Sequence, residues 1–266
     1  MKRFFSARFA PYLLALLALF TLACTAVRTL ALALAFDADI GYFKAGAQLV
    51  ILLYVLTGLS LAVCLLFFLY IKKDELQQSA APSLFAMVGD GMCLLLCLSA
   101  ACYLLLRGNT LPAPALVSIL ALISLLFGAG YFITHFVRIS PAVRVLLGYA
   151  LLLALILVIV LTYFDRYTQM NAPHKISQHL SILAALLALL CELRVQLGRA
   201  KHARSLPFLG LAGFACLTTG VSNALAFALG SYDDLTYFVF DLLLLALGLH
   251  FAAGCASYHV CEEGEQ

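Results

Sequence analysis

Leu151-Leu152-Leu153-Ala154-Leu155-Ile156-Leu157-Val158-Ile159-Val160-Leu161 is a run of eleven residues without a polar side chain. It sits inside a longer apolar stretch, 142–163. A helix needs about 20 apolar residues to cross ~30 Å of hydrocarbon, and this stretch meets that length. It does not alternate apolar with polar residues, as a strand of a membrane barrel would. In lipid every backbone N–H and C=O must be satisfied within the segment, so the form it predicts is a helix.

Moving outward in both directions, the same pattern recurs at 12–35, 45–71, 84–106, 112–137, 177–198, 206–229 and 235–257, which makes eight runs in 266 residues. The chain is 65% hydrophobic and 11% charged, with a mean hydropathy of +1.06. Soluble domains carry about 25% charged residues. The fold class that follows is all-α: a polytopic transmembrane bundle of eight spans, forming a single transmembrane domain over 1–266. The lipid bilayer is its first partner. The connecting segments leave no room for a separate catalytic domain.

Lys2 and Arg3 precede an apolar stretch that ends in Leu22-Ala23-Cys24, which invites a signal-peptide reading. The stretch exceeds the 7–15 residues of a signal h-region, and Thr21 stands where a lipoprotein signal wants a large aliphatic residue. A retained first helix is the expectation. Nine cysteines are scattered without a CxxC or a spaced His motif. They read as small packing residues, with no metal site and no cofactor.

Eight spans place both termini on one side. With the termini inside, Lys2, Arg3, Arg8, Lys72, Lys73, Arg138, Arg144, Arg194, Arg199, Lys201 and Arg204 are internal, and Lys44, Arg107, Arg166 and Lys175 are external: eleven against four. The positive-inside rule then predicts cytoplasmic termini. The net charge of +3 follows insertion and does not signal a nucleic-acid partner, since no binding motif accompanies it.

The two halves, 1–138 and 139–266, echo each other. Asp37, Lys44 and Gln48 recur as Asp165, Lys175 and Gln178, and Phe127 and His135 recur as Phe251 and His259, at offsets between 124 and 131. Such offsets suggest two parallel four-helix repeats, with any central site between the halves.

Ionisable residues within spans are costly, and they face protein or a water-filled cavity. Arg28 shares a face with Thr21, Cys24 and Thr25. It either lies within helix one, at a depth where Asp241 of helix eight could pair with it, or marks that helix's end. Asp90, flanked by Gly89 and Gly91, points with Cys93 and Cys97 toward a close helix contact. Glu192, His135 and His250 reach a similar inner depth, and Ser124, Gly128, Tyr131 and His135 form one stripe of helix four. These groups form either an inner polar layer able to handle protons or cations, or a set of structural hydrogen bonds. Asp241 and His250 are nine residues apart, about 180° around a helix, so they serve different partners.

Helix seven carries Ala212, Cys216, Gly220, Ala224 and Ala228 at four-residue spacing, beside Thr218, Thr219, Ser222 and Asn223. This seam predicts a buried helix. Helix five, bulky from Leu151 to Leu161, reads as a lipid-facing wall. Asp37, Asp39, Asp165, Asp233 and Asp234 make the outer loops acidic. There is no GxSxG, HExxH, Walker A, GxGxxG or CxxC, so no enzyme class is indicated.

Phe36-Asp37-Ala38-Asp39-Ile40-Gly41-Tyr42-Phe43, Tyr163-Phe164-Asp165, Asn171-Ala172-Pro173-His174-Lys175, Glu192-Leu193-Arg194 and Leu197-Gly198-Arg199 together resemble a group of eight-span bacterial plasma-membrane proteins. The resemblance implies that location and lends no activity. It marks the outer-loop residues Asp37, Asp39, Asp165, Asn171, Pro173 and Lys175, with Glu192, for testing. Two functions from different classes remain open. One is a permease or channel-like protein for a small solute or ion. The other is a non-transporting scaffold or sensor subunit with a protein partner or a second copy of itself.

Overall fold

The computed structural model describes residues 9–37, 40–70, 76–78, 83–165, 172–199, 205–231 and 234–260. Asp39 and Asn171, marked by the sequence, lie outside the described residues, as do Asp233 and the basic residues at 2, 3, 8, 72, 73, 166, 201 and 204. Eight long helices make up the bundle: α1 (Ala10–Leu34), α2 (Gln48–Tyr70), α3 (Leu84–Arg107), α4 (Ala115–Phe136), α5 (Pro141–Tyr163), α6 (Pro173–Gln196), α7 (Leu206–Ala228) and α8 (Leu235–Ala256). All are long and apolar enough to cross a membrane.

Local chemistry sets their ends. Proline occupies the first turn of α1, α5, α6 and α7, where its missing N–H costs nothing. Ser83 caps α3 by accepting from the Ala86 N–H at 3.1 Å. Asp234 caps α8 by accepting from the N–H groups of Thr236 (2.7 Å) and Tyr237 (3.4 Å), a favourable position for a carboxylate.

Two small antiparallel pairings mark the ends of the bundle. Between α1 and α2, β1 (Phe36–Asp37) pairs with β2 (Tyr42–Phe43), and Gly41 takes the left-handed φ of 75° that the turn requires. We call this the hairpin end. At the other, β3 (Leu76–Gln78), after α2, pairs with β4 (Tyr258–Val260), after α8. This is the tail end. Its Tyr258 hydroxyl lies 3.0 Å from Ser205 Oγ, and burial pushes that phenol up to about 12, so it stays protonated. His259, the sequence echo of His135, sits in β4 opposite Gln77, whereas His135 is inside α4.

α7 and α8 form the centre. The buried share of their spans is 56% and 61%, against 22% for α1 and 28% for α2. Glycine makes the closeness possible. A methyl at Gly220 would stand 2.6 Å from Leu245 N and 2.8 Å from Asp241 O, and one at Gly248 would stand 2.8 Å from Leu217 N. Each helix therefore presses backbone against the other at a glycine. The predicted seam holds through Ala212, Cys216 and Gly220, which are buried, and then fades: Ala224 is half-buried and Ala228 exposed.

The expectation for helix five is corrected. α5 buries Val145, Gly148, Leu151, Ala154, Leu155, Val158 and Leu161 and packs on α4 and α6. The reason lies on α4, where a Cβ at Gly128 would meet Leu151 Cα at 3.1 Å. A leucine on one helix fits the gap left by a glycine on its neighbour. Bulk alone does not mean lipid exposure.

α6 also starts earlier than its apolar pattern. Pro173 and Lys175, expected in an outer loop, belong to its first turn, and Lys175, His174 and Gln178 are buried there. Lys175 Nζ donates to the Asp165 carbonyl at 3.2 Å, and the Tyr237 hydroxyl donates to Asp165 Oδ2 at 3.1 Å. Polar side chains with internal partners extend the helix beyond its hydrophobic run.

Candidate functional site

Two polar networks form, one toward each end, and α8 contributes to both. At the hairpin end Arg28 lies well inside α1, six residues before the helix ends at Leu34, which removes the reading of Arg28 as a helix terminus. Its Nε donates to Ser222 Oγ at 2.8 Å, and its Nη2 donates to Ser177 Oγ at 2.6 Å and to Asn223 Oδ1 at 3.0 Å. The Asn223 amide in turn donates to Asp241 Oδ1 at 3.1 Å, and Gln178 Nε2 donates to the same oxygen at 3.0 Å. Asp241 is fully buried. Asn223 thus joins the guanidinium of α1 to the carboxylate of α8, with α6 closing the ring.

The tail end holds the second network, built from α3, α4, α6 and α8. Gly89 lets α3 approach α8 so closely that a Cβ would stand 3.2 Å from His250 Cα. Asp90, the next residue, is carried to that contact. Its Oδ1 lies 2.6 Å from His250 Nδ1 and its Oδ2 lies 2.8 Å from His135 Nδ1. The two imidazoles are parallel, with an interplanar angle of 7° and centroids 5.8 Å apart. Phe132 meets the His250 ring edge-on, and Tyr131 meets that of His135.

Glu192 extends the chain of contacts. Its Oε2 lies 3.4 Å from His250 Nε2 and accepts from the Tyr131 hydroxyl at 3.4 Å, while Gln196 Nε2 donates to that hydroxyl at 3.1 Å. The side-chain amide oxygen of Gln196, Oε1, is buried and without a hydrogen-bond partner. Side-chain exposure rises from 10% at Asp90 and His250 to 18% at Glu192 and 22% at His135, so Asp90 and His250 are the inner members of the cluster.

A proton count constrains this network. A neutral imidazole has one N–H, but the two nitrogens of His250 face a carboxylate each. One of those contacts therefore brings acceptor against acceptor unless an added proton or another cation lies there. Two carboxylates surrounded by apolar helices also demand compensating positive charge. Arg144 is aimed elsewhere, its Nη2 donating to the Thr134 carbonyl at 2.9 Å.

All seven intramembrane residues singled out by the sequence fall into these networks: Asp90, Glu192, His135 and His250 in one, and Arg28, Asp241 and Asn223 in the other. Both halves of the chain contribute to each. Gln196 and Ser177 were not singled out, although Gln196 stands four residues after Glu192 and hence on the same helix face. Asp37 and Asp165 lie at the hairpin end, where Asp37 Oδ1 accepts from the Ile40 N–H at 3.3 Å.

A cavity of about 660 Å³ opens at the hairpin end, with Arg28, Tyr42, Lys44, Ser177, Thr218 and Thr219 in its wall. None of Asp90, His135, Glu192 or His250 lines it. Between the networks α8 carries the buried Leu244, Ala246 and Leu247. Compared with known proteins, the chain matches no protein family, no curated protein and no solved structure.

Proposed function

We propose that this integral membrane protein is a permease for a small cation, with Asp90, His135, His250 and Glu192 as its cation site. The observation that carries the reading is the bracketing of one carboxylate by two parallel imidazoles, with a second carboxylate behind, in a partly exposed cluster among apolar helices. Such a group attracts positive charge and holds it weakly enough to release when neighbours share the carboxylates. On this reading the cavity at the hairpin end is the opposite vestibule, with the buried Leu244 and Leu247 of α8 between it and the cluster. On this reading the protein has no enzymatic activity. The basic residues of the tail-end loops favour cytoplasmic termini, and the quoted loop motifs favour a bacterial plasma membrane.

Reconstitution into liposomes tests this. Uptake of H⁺, Na⁺, K⁺ or a divalent cation should exceed that of empty vesicles and fall at least tenfold in Asp90→Asn and in Glu192→Gln, with both variants still monodisperse. No flux of any of these ions in the wild type overturns the reading. A scaffold or sensor subunit is the competing function. It draws support from the fully joined Arg28–Asn223–Asp241 network, which ties α1, α7 and α8 together. That reading requires a protein partner or a second copy, and co-purification of one with a flux-inactive protein would support it.

A further inference from the structure

We infer that Asp90, His135 and His250 form a binding site for a divalent transition metal of the zinc class, with Glu192 as the residue that orients His250. The inference rests on the cation-site reading above and names the ion that the site takes. Three donor atoms, one from each residue, lie within 4.8 Å of one another. Tetrahedral bonds of ~2.0–2.2 Å set donors about 3.3–3.6 Å apart, so an ion is held when the wider pair of donors draws in and the 2.6 and 2.8 Å contacts of Asp90 with the imidazoles spread.

The donor chemistry selects the ion. Two imidazoles and one carboxylate suit zinc, cobalt, nickel or ferrous iron, whereas calcium and magnesium take oxygen sets. Asp90 offers an oxygen to each side, and both rings present the same nitrogen, Nδ1, toward it. The remaining nitrogen of His250 faces Glu192. Metal-binding histidines characteristically donate their second N–H to a carboxylate, which fixes the tautomer and leaves the other nitrogen's lone pair free for the metal. With Nε2–H given to Glu192, the His250 Nδ1 lone pair confronts Asp90 Oδ1 at 2.6 Å, and a metal that spreads the pair turns that repulsion into two bonds. Three protein ligands leave a fourth position open for water, as in sites that exchange or react. The exposed side of His135 gives the entry path that a metal site needs.

Spacing could not reveal this site, because its ligands are 45 and 160 residues from Asp90 in sequence. Nor do the cysteines supply it: Cys93 is one turn from Asp90 on the same face, yet it does not belong to the donor set.

The test uses the full-length protein in lipid nanodiscs, freed of metal with a chelator. Titration with Co²⁺ should give one equivalent of binding, with visible bands of tetrahedral intensity that Zn²⁺ abolishes. X-ray absorption of the zinc-loaded protein should show a nitrogen and oxygen shell without sulfur. Asp90→Asn and His250→Gln should each lose binding by at least tenfold, and Glu192→Gln should keep the stoichiometry while weakening affinity about 10–100-fold. A sulfur shell, or no stoichiometric Co²⁺ binding by a folded wild type, overturns the inference. The two proposals fail separately. Asp90-dependent flux of H⁺, Na⁺ or K⁺ without metal binding sinks the metal and spares the permease. Tight metal binding without flux of any ion does the reverse.

Discussion

At the scale of single residues, Asn223 has the heaviest duty in the hairpin-end network. Its amide oxygen serves Arg28 and its amide nitrogen serves Asp241, so replacing it leaves two buried charged groups each short of a partner. Hydrogen bonds to charged groups contribute about 1.5–3 kcal/mol. Asn223→Ala should therefore lower stability by about 1.5–3 kcal/mol, read as an earlier midpoint in thermal or denaturant unfolding of the detergent-solubilised protein. Asn223→Asp should be worse than a neutral cavity-forming change, because it puts a second carboxylate beside Asp241. An unchanged midpoint in both variants would show that Arg28 and Asp241 do not depend on this bridge. Residues such as these were legible in the sequence for a plain reason: a charge in an apolar run must face protein, so Arg28, Asp90, Asp241 and Glu192 announced themselves. Gln178 and Gln196 did not, because an amide near a span end is equally at home at the interface.

At the scale of elements, the glycines at helix crossings decide how closely backbones meet. Gly220→Val would drive side-chain atoms into the α8 backbone at Leu245 and Asp241. Overpacking of this kind costs about 1–3 kcal/mol, and here it also shifts the helix that bears Asp241. The variant should lose stability and alter the hairpin-end network. Gly58→Val, at a glycine with open space around it, should unfold at the wild-type temperature; equal losses in the two variants would contradict the glycine-seam account. The sequence conveyed the eight helices to within a few residues, since span length depends on hydrophobicity along the chain. It did not convey who packs on whom. Leucine is as comfortable against lipid as against another helix, and the position of α5 depends on Gly128, in a different helix. The start of α6 escaped for a related reason: Pro173, His174 and Lys175 look like loop chemistry until the Asp165 carbonyl supplies Lys175 with an internal partner.

At the scale of the whole molecule, burial falls from α8 and α7 to the outlying α1 and α2. Thiol accessibility is a direct probe. Cys102 is exposed, while Cys93, Cys97, Cys216 and Cys255 are buried. A small membrane-permeant maleimide should modify Cys102 well before those four, as read by peptide mass spectrometry on the native protein. Modification of Cys216, whose thiol meets the Ser181 carbonyl of α6, at the rate of Cys102 would mean that the α6–α7 contact opens readily.

Asp241 and His250 project from opposite sides of α8, about 180° and ~13.5 Å apart. Both are committed, one to α6 and α7 and the other to α3 and α6. The helix therefore behaves like an axle keyed at both ends. A rigid turn that withdrew Asp241 from Gln178 and Asn223 would swing His250 away from Asp90 in the same stroke. Opening one end while the other stays latched requires a twist or bend within the stretch between them, where Leu244, Leu247 and Gly248 are clasped by α7 and its neighbours.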